Sequence, residues 1–519
     1  MNIAVSPSPR AAVPGRAPGP PDYEVIIVGA GISGLGTAIR LQQEGITSYL
    51  ILERSSGVGG TWRDNRYPGI AVDITSFTYS YSFEQNPNWS RVFAPGNELH
   101  HYTKRVASKY GLYPSIRFGI SVLRADFDET EHVWRLQLDS GEELTARHLV
   151  SATGGLITPK LPDIAGLTQF KGQVLHTARW DDSVDLSGKR VAVIGTGATA
   201  VQLIPEIAPL VSRLDVHQRT PIWVLKKPDR ELPAWLKSVF RLLPPMQRAV
   251  RTATDTVSEA LMVIAAVYYK QAPWIVRRCE EAGLRNLREQ LPDRPDLWEK
   301  LTPTYGFGCK RPTFSNVYFQ TFARDNVQLI TAPIDRLTES GIRTQDGTVR
   351  EIDVLILATG YKTFEKGNLP SYAVHGRNGV ELGSYWDENR YQAYEGLTVH
   401  GFPNFYIMLG PYALIGTSYF KMVEGNAIHL TRCIKEARRR KATCVEVRKE
   451  VHDRYFQDIQ RRQQSTVFLN HNCAASNSYY FDRHGDAPML RPSTSVEMLW
   501  RARHFPLDHY RYQRKERQP

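Results

Sequence analysis

Apolar residues in this chain gather in short β-branched runs, each followed by glycine and then by a stretch of helical periodicity. Tyr23-Glu-Val-Ile-Ile-Val28 is apolar through its last four positions instead of alternating, the pattern of a parallel strand buried on both faces. It runs into Gly29-Ala-Gly31-Ile-Ser-Gly34, a helical pattern from Leu35 to Gln43, a stop at Gly45 and a second strand from Tyr49 to Leu52 that leads to Glu53. The same order returns as Arg190-Val-Ala-Val-Ile194, Gly195-Thr-Gly197-Ala-Thr-Ala200, a helical stretch and a strand from Leu214 to His217, which ends in Gln218-Arg219-Thr220. Two further strands, Val150-Ser-Ala-Thr-Gly154 and Asp353-Val-Leu-Ile-Leu-Ala-Thr-Gly360, close on Thr-Gly. Between Pro228 and Leu301 the chain is dense in Leu, Arg, Glu and Ala, with proline breaks at Pro244-Pro245 and Pro292, which predicts several helices. The apolar stripe Leu261, Ile264, Val267 and Tyr268 is expected to pack against the body of the protein. Strands alternating with helices predict an α/β fold built on parallel sheets.

Each part of the duplicated pattern suits a dinucleotide. Gly29 permits a tight turn, Gly31 lets a pyrophosphate approach the backbone and Gly34 lets the helix pack on the strand. The helix N-terminus offers unpaired N–H groups and a partial positive charge. Glu53 is placed to accept hydrogen bonds from ribose hydroxyls and would repel a 2′-phosphate, so the first unit should take FAD or NAD. Gly195, Thr196, Gly197, Ala198 and Thr199 form the second turn, and Arg219 stands where Glu53 stands in the first. A guanidinium there pairs with a 2′-phosphate, so the second unit should prefer NADP. Together the two units imply a flavoprotein fed by NADPH.

The 519 residues exceed one ordinary core, and 42% hydrophobic with 10% aromatic content is that of a folded protein. The net charge of +12 is spread along the chain, with clusters only at Arg438–Lys441 and Arg511–Arg517, and no nucleic-acid-binding motif accompanies it. Five cysteines form no CxxC pair and no metal-type spacing, and scattered thiols in odd number suit a reducing cytoplasm. Met1–Pro21 lacks an apolar signal core and reads as a flexible tail. The longest uncharged run outside the motifs, Ala260–Tyr269, is about half of the roughly 20 residues a membrane span needs, so no span is predicted.

Three segments carry a resemblance. Phe170-Lys-Gly172-Gln-Val-Leu-His176-Thr-Ala-Arg-Trp180-Asp181 is similar to the FxGxxxHxxxW(P/D) fingerprint of type I Baeyer–Villiger monooxygenases. Gly59-Gly60-Thr61-Trp62, followed by Tyr67-Pro68-Gly69 and Asp73, resembles the family's second long motif on the flavin side. Lys310-Arg311-Pro312 resembles the segment that carries its essential arginine. The resemblance runs from about Tyr23 to Gly416 and departs near the C-terminus, where Ser476-Asn-Ser-Tyr479-Tyr480 stands for the Ser-Trp-Tyr of many members. It implies that Arg311 and Asp73 are catalytic and that Lys310, with Arg219 and Thr220, holds the 2′-phosphate. Phe170, Gly172, His176, Trp180 and Asp181 would then form a linker coupling NADP binding to domain motion, with His176 an anchor and not a general base.

The implied reaction turns a hydrophobic ketone into an ester or lactone with O2, through a C4a-peroxyflavin whose anionic form attacks the carbonyl. The alternative is an NADPH-dependent flavin N- or S-monooxygenase on the same fold, against which Trp180 and Arg311 argue. A disulfide reductase needs a redox cysteine pair beside the flavin, and a flavin-binding sensor needs no intact NADP half. The expected architecture is two Rossmann-like domains, FAD-binding at 22–159 and 332–519 and NADP-binding at 160–227 and 304–331, with a helical insertion at 228–303. The apolar, aromatic loop from Gly410 to Gly416 is expected to shape the ketone pocket. A cytoplasmic monomer or weak homo-oligomer, with neither a metal nor nucleic acid, completes the expectation.

Overall fold

The run Tyr23–Val28 pairs in parallel on both sides, with Tyr49–Glu53 and with Glu143–Ser151, as a strand without a polar face must. In the computed structural model, which describes residues 20–515, it lies within an eight-stranded sheet. The order is Ala373–His375, Val122–Asp128, Val133–Leu138, Glu143–Ser151, Tyr23–Val28, Tyr49–Glu53, Ile116–Phe118, and Phe405–Ile407 also joins Glu143–Ser151. The helix Ile32–Gln43 packs between this sheet and the long helix Tyr419–Arg440. The expected N-terminal tail lies outside the described residues, apart from its last two positions.

A second sheet of five parallel strands follows the order Val327–Ile330, Arg213–His217, Arg190–Ile194, Val354–Leu357, Gln173–His176. This corrects the expected domain boundary at 332. Val354–Leu357 is buried throughout and hydrogen-bonds to both Arg190–Ile194 and Gln173–His176, so the second unit runs on to Gly360. The two Thr-Gly strands therefore serve different sheets. A Cβ on Gly29 would sit 2.6 Å from the Ala152 carbonyl oxygen, and one on Gly195 would sit 2.5 Å from that of Ala358. Both glycines have φ of 111°, so each nucleotide turn crosses its own Thr-Gly strand at a distance no side chain allows.

The insertion is helical. Ala234–Leu242 and Pro244–Ser258 lead through a π-helical turn, Glu259–Val263, into Ile264–Val267, and Pro273–Gln290 and Trp298–Leu301 follow. The expected packing of its apolar stripe holds for Val267, with Tyr268 half-buried, but Leu261 is 49% and Ile264 36% exposed, because the π turn shifts the periodicity by one residue. No helix among the described residues is long and apolar enough to cross a membrane. The cysteines are also not simply scattered thiols, since Cys309 and Cys473, 164 residues apart, form a disulfide, while Cys279, Cys433 and Cys444 are free. Sequence spacing cannot reveal a pair that only the tertiary fold brings together.

The C-terminal segment is tied down by a buried charge cluster. Glu395 pairs with Arg491 and with Arg501, the latter through Nε at 2.8 Å. Burial raises the Glu395 carboxyl, and the two arginines outweigh it and bring it to about 2. Its stabilisation is complete above the unfolded value of 4.5 and fades as pH falls toward 2. Glu395→Ala is expected to lower unfolding stability by about 3–5 kcal/mol at neutral pH. In denaturant titrations this gap should narrow below the unfolded value of 4.5.

Candidate active site

Both nucleotide turns open on one cavity of about 2040 Å³. On the first side Gly29, Gly31, Glu53, Gly60, Thr61 and Trp62 line it. Glu53, at the end of its strand, accepts the Ala30 N–H at 2.7 Å and the Ser55 N–H at 2.8 Å, which fixes its carboxylate beside the turn. Gly31 and Gly60 face each other so closely that a Cβ on Gly60 would lie 3.1 Å from the Gly31 Cα. Gly34 does not reach the cavity; a Cβ there would strike the Gly29 carbonyl oxygen at 1.8 Å, so its role is packing. Trp62 meets Tyr79 edge to face at 5.5 Å.

On the second side Gly195, Thr196, Gly197, Ala198 and Thr199 line the same cavity, with Arg219, Thr220 and Lys310. The Thr196 hydroxyl donates to the Thr220 carbonyl at 2.8 Å and holds the end of its strand to the turn. Burial, with a smaller effect of Arg219, depresses the Lys310 ammonium to about 8. Two cations facing one recess, with no ion-pair partner among the described residues, form a ready anion site.

Arg311 and Asp73, distant in sequence, meet at the cavity wall. The guanidinium donates Nε to Oδ2 at 2.6 Å and Nη2 to Oδ1 at 2.7 Å, a two-pronged pair. Their side chains keep 35% and 27% exposure, all consistent with opening on the cavity while lying recessed from the outer surface. Asp73 holds Arg311 well above its ordinary value; burial raises the Asp73 carboxyl, and Arg311 outweighs it and lowers it. Lys227 adds a smaller lowering effect of its charge on Asp73. The segment leading to Asp73 is docked on the second unit: Tyr67 donates to Gln202 at 3.1 Å, and Gln202 donates to the Ala71 carbonyl at 3.0 Å.

Phe170, Gly172, His176, Trp180 and Asp181 are not among the residues lining the cavity. Phe170 and Trp180 are buried in separate apolar clusters, and Asp181 accepts from Ser183 N–H and hydroxyl at 2.9 and 2.6 Å. His176 Nδ1 accepts the Ala178 N–H at 3.1 Å, its Nε2 lies 3.3 Å from the Thr359 hydroxyl, and burial lowers its pKa. Leu414, Ile415 and Gly416 line the cavity beside Val263, Ala265 and Ala266 of the insertion. Tyr480, which the sequence sets in the segment standing for Ser-Trp-Tyr, lies buried beside Arg311, a contact the sequence did not foretell; Tyr79 and Lys227 escaped the sequence reading, and no spacing rule marks either of them. Tyr479, 39% exposed, lines the cavity next to it.

Two nucleotide units sharing one cavity, with an arginine–carboxylate pair between them, define an oxidoreductase of the two-dinucleotide class. Comparison with known proteins narrows this. Residues 26–260 match the pyridine nucleotide-disulphide oxidoreductase family. The chain is 39% identical over 474 residues to a Baeyer–Villiger monooxygenase of Pseudomonas aeruginosa, covering 91% of this chain and 87% of that one. Its fold is similar to that of OTEMO, solved in complex with FAD and NADP (TM-score 0.83, 27% identity, covering 95% and 99% of the two chains). It is also similar to cyclohexanone monooxygenase from Rhodococcus sp. Phi1 bound to NADP+ (TM-score 0.83, 25% identity, covering 96% and 100%). The chain belongs to the Baeyer–Villiger monooxygenase family.

The packing of the linker gives a direct test. A Cβ on Gly172 would lie 2.4 Å from the Phe170 ring and 2.6 Å from the Asp353 carbonyl oxygen. Gly172→Ala is therefore expected to cost about 1–3 kcal/mol, read as a drop of several degrees in the melting temperature.

Proposed function

We propose that this FAD- and NADPH-dependent monooxygenase converts a hydrophobic ketone to an ester or lactone, with Arg311 as the catalytic cation and Asp73 as the group that holds it. The observation that carries this is the two-pronged Arg311–Asp73 pair in the wall shared by both nucleotide units. Ketone, O2, NADPH and a proton give ester, water and NADP+.

The residues present fit both cofactors. The close approach of Gly31 and Gly60 leaves a cradle that any side chain would fill, and Glu53 stands at its ribose end. Arg219 and Lys310 supply the charge that a 2′-phosphate needs at the second turn, with the Thr220 hydroxyl beside them. Bound there, the flavin supplies hydride acceptance from NADPH and activation of O2.

The remaining work falls to the chain. Asp73 takes two guanidinium N–H groups, which fixes the plane of Arg311 and keeps it cationic across the working pH range. A guanidinium N–H that Asp73 does not take can then donate to negative charge that grows on the carbonyl oxygen of the ketone, beside the Tyr480 phenol that also meets Arg311. One such preorganised donor is worth roughly 10²–10³ in rate. The apolar wall made by Leu414, Ile415 and the insertion excludes water and favours an apolar substrate. Linker residues Phe170, His176 and Trp180, packed outside the cavity, serve to couple the second unit to the rest. We place the reaction in the cytoplasm, where NADPH is supplied.

The flavin-loaded protein, given NADPH, isotopically labelled O2 and a panel of hydrophobic ketones, is expected to place one labelled atom in the ester. Label found only in sulfoxides or N-oxides when sulfides and amines are offered would reverse the reading. The anion site adds a pH dependence. Lys310 must be protonated to hold the phosphate, so kcat/KM for NADPH should fall as pH rises through about 8. Lys310→Met should lose that break and sit about 10–100-fold lower on its acid side.

A further inference from the structure

We propose that the Cys309–Cys473 disulfide is a positioning element of the oxygen-transfer site: it staples the loop bearing Tyr479 and Tyr480 against the Lys310–Arg311 segment, and its reduction uncouples NADPH oxidation from ester formation. The proposal rests on the assignment of Arg311 made above.

The cross-link sits where it can matter. Cys309 directly precedes Lys310 and Arg311, and Cys473 opens the loop that leads to Tyr479 and Tyr480. Both cysteines are buried, at 0% and 4% exposure, and their Cα atoms are 5.0 Å apart. From Cys473 the chain makes one 3-10 turn, Ala474–Ser476, and a left-handed residue, Asn477, before the two tyrosines turn to the cavity. Both phenols lie within electrostatic reach of the Arg311 guanidinium, which favours their ionised forms while burial opposes them more strongly. Tyr480 thus forms part of the arginine's setting along with Asp73.

Tyr480 also packs edge to face on Phe468 at 5.6 Å, whereas the hydrogen bonds that tie this loop to the nucleotide side are slight. Asn472 donates to the Thr304 carbonyl at 3.2 Å, Asn477 to the Thr220 hydroxyl at 3.1 Å and the Thr363 hydroxyl to the Tyr479 carbonyl at 3.2 Å, all of them exposed. Exposed single hydrogen bonds exchange readily with water. Two of these partners, Thr304 and Thr220, flank the second nucleotide unit, so the loop spans both halves of the site. A covalent tie at its root, together with the packing of Tyr480 on Phe468, keeps Tyr480 on Arg311 when these bonds open. A displacement of about 1 Å in such a setting is enough to cost about 10²-fold in a positioned reaction.

Reduction is a two-electron exchange. A dithiol attacks one sulfur as its thiolate, the S–S bond breaks, two thiols form on the protein and the dithiol leaves as its own disulfide. Because both sulfurs are buried, the loop must lift for this to occur. Cys279 packs against the same apolar cluster and is free, with burial raising its thiol pKa; it is a control for loss of a nearby thiol that forms no cross-link.

The flavin-loaded enzyme, oxidised and after dithiothreitol, is alkylated under denaturing conditions and weighed. Three modified thiols are expected before reduction and five after. Both states, with Cys473→Ser and Cys279→Ser, are then assayed for NADPH oxidation, ester and hydrogen peroxide. Reduction and Cys473→Ser are expected to leave the rate of flavin reduction by NADPH unchanged and to lower ester per NADPH about tenfold, with matching peroxide. Reoxidation restores the wild type, and Cys279→Ser follows the wild type throughout. Should Cys473→Ser fail to fold, the wild-type pair of redox states carries the test alone. Five modified thiols before reduction, or equal ester per NADPH in both states, overturns the proposal and leaves ketone oxygenation standing. No ester from the oxidised enzyme contradicts the assignment it rests on, and the proposal with it.

Discussion

A guanidinium recessed in a cavity wall needs a counter-charge, and the carboxylate of Asp73 provides it on two hydrogen bonds of 2.6 and 2.7 Å. The two residues come from different parts of the fold. Asp73 follows the short helix Thr61–Asp64 of the first unit, and Arg311 follows the helical insertion of the second. Their meeting depends on the docking of Tyr67 and Ala71 onto Gln202, in the helix that starts at the second glycine turn. Displacing one unit against the other would pull the pair apart, so the charge pair and the interface between the units depend on each other.

Around this pair the two nucleotide units repeat one solution. Each turn crosses a Thr-Gly strand with a glycine at φ of 111°, and each offers a helix N-terminus to the shared cavity. They part company at the end of the second strand, where Glu53 is spent on backbone N–H groups beside its turn and Arg219 stands exposed near Lys310. That single difference in charge is the basis on which we propose that one chain tells two dinucleotides apart.

The nucleotide units were legible in the sequence because their signals are local: glycine spacing, a strand before, a helix after and one charge at a fixed offset. The Asp73–Arg311 pair was not legible from spacing, since 238 residues separate the partners, and only the family resemblance joined them. Val354–Leu357 reads as one apolar strand like any other, and nothing in its residues says which of two parallel sheets it completes. The exposure of Leu261 and Ile264 follows from a π-helical turn that regular periodicity does not foresee. The Cys309–Cys473 bond joins a segment inside the resemblance to one past its end, and that bond and the approach of Tyr480 to Arg311 are contacts made only by the finished fold.

The claim on which the account stands is that Arg311 serves oxygen transfer and not hydride transfer. The measurement that tests it compares Arg311→Ala with the wild type for flavin reduction by NADPH and for ester formed per NADPH consumed. The account predicts flavin reduction near the wild-type rate and ester lower by roughly 10²–10³, with the consumed NADPH appearing as hydrogen peroxide. Ester formation near the wild-type ratio in the folded, flavin-loaded variant would contradict it.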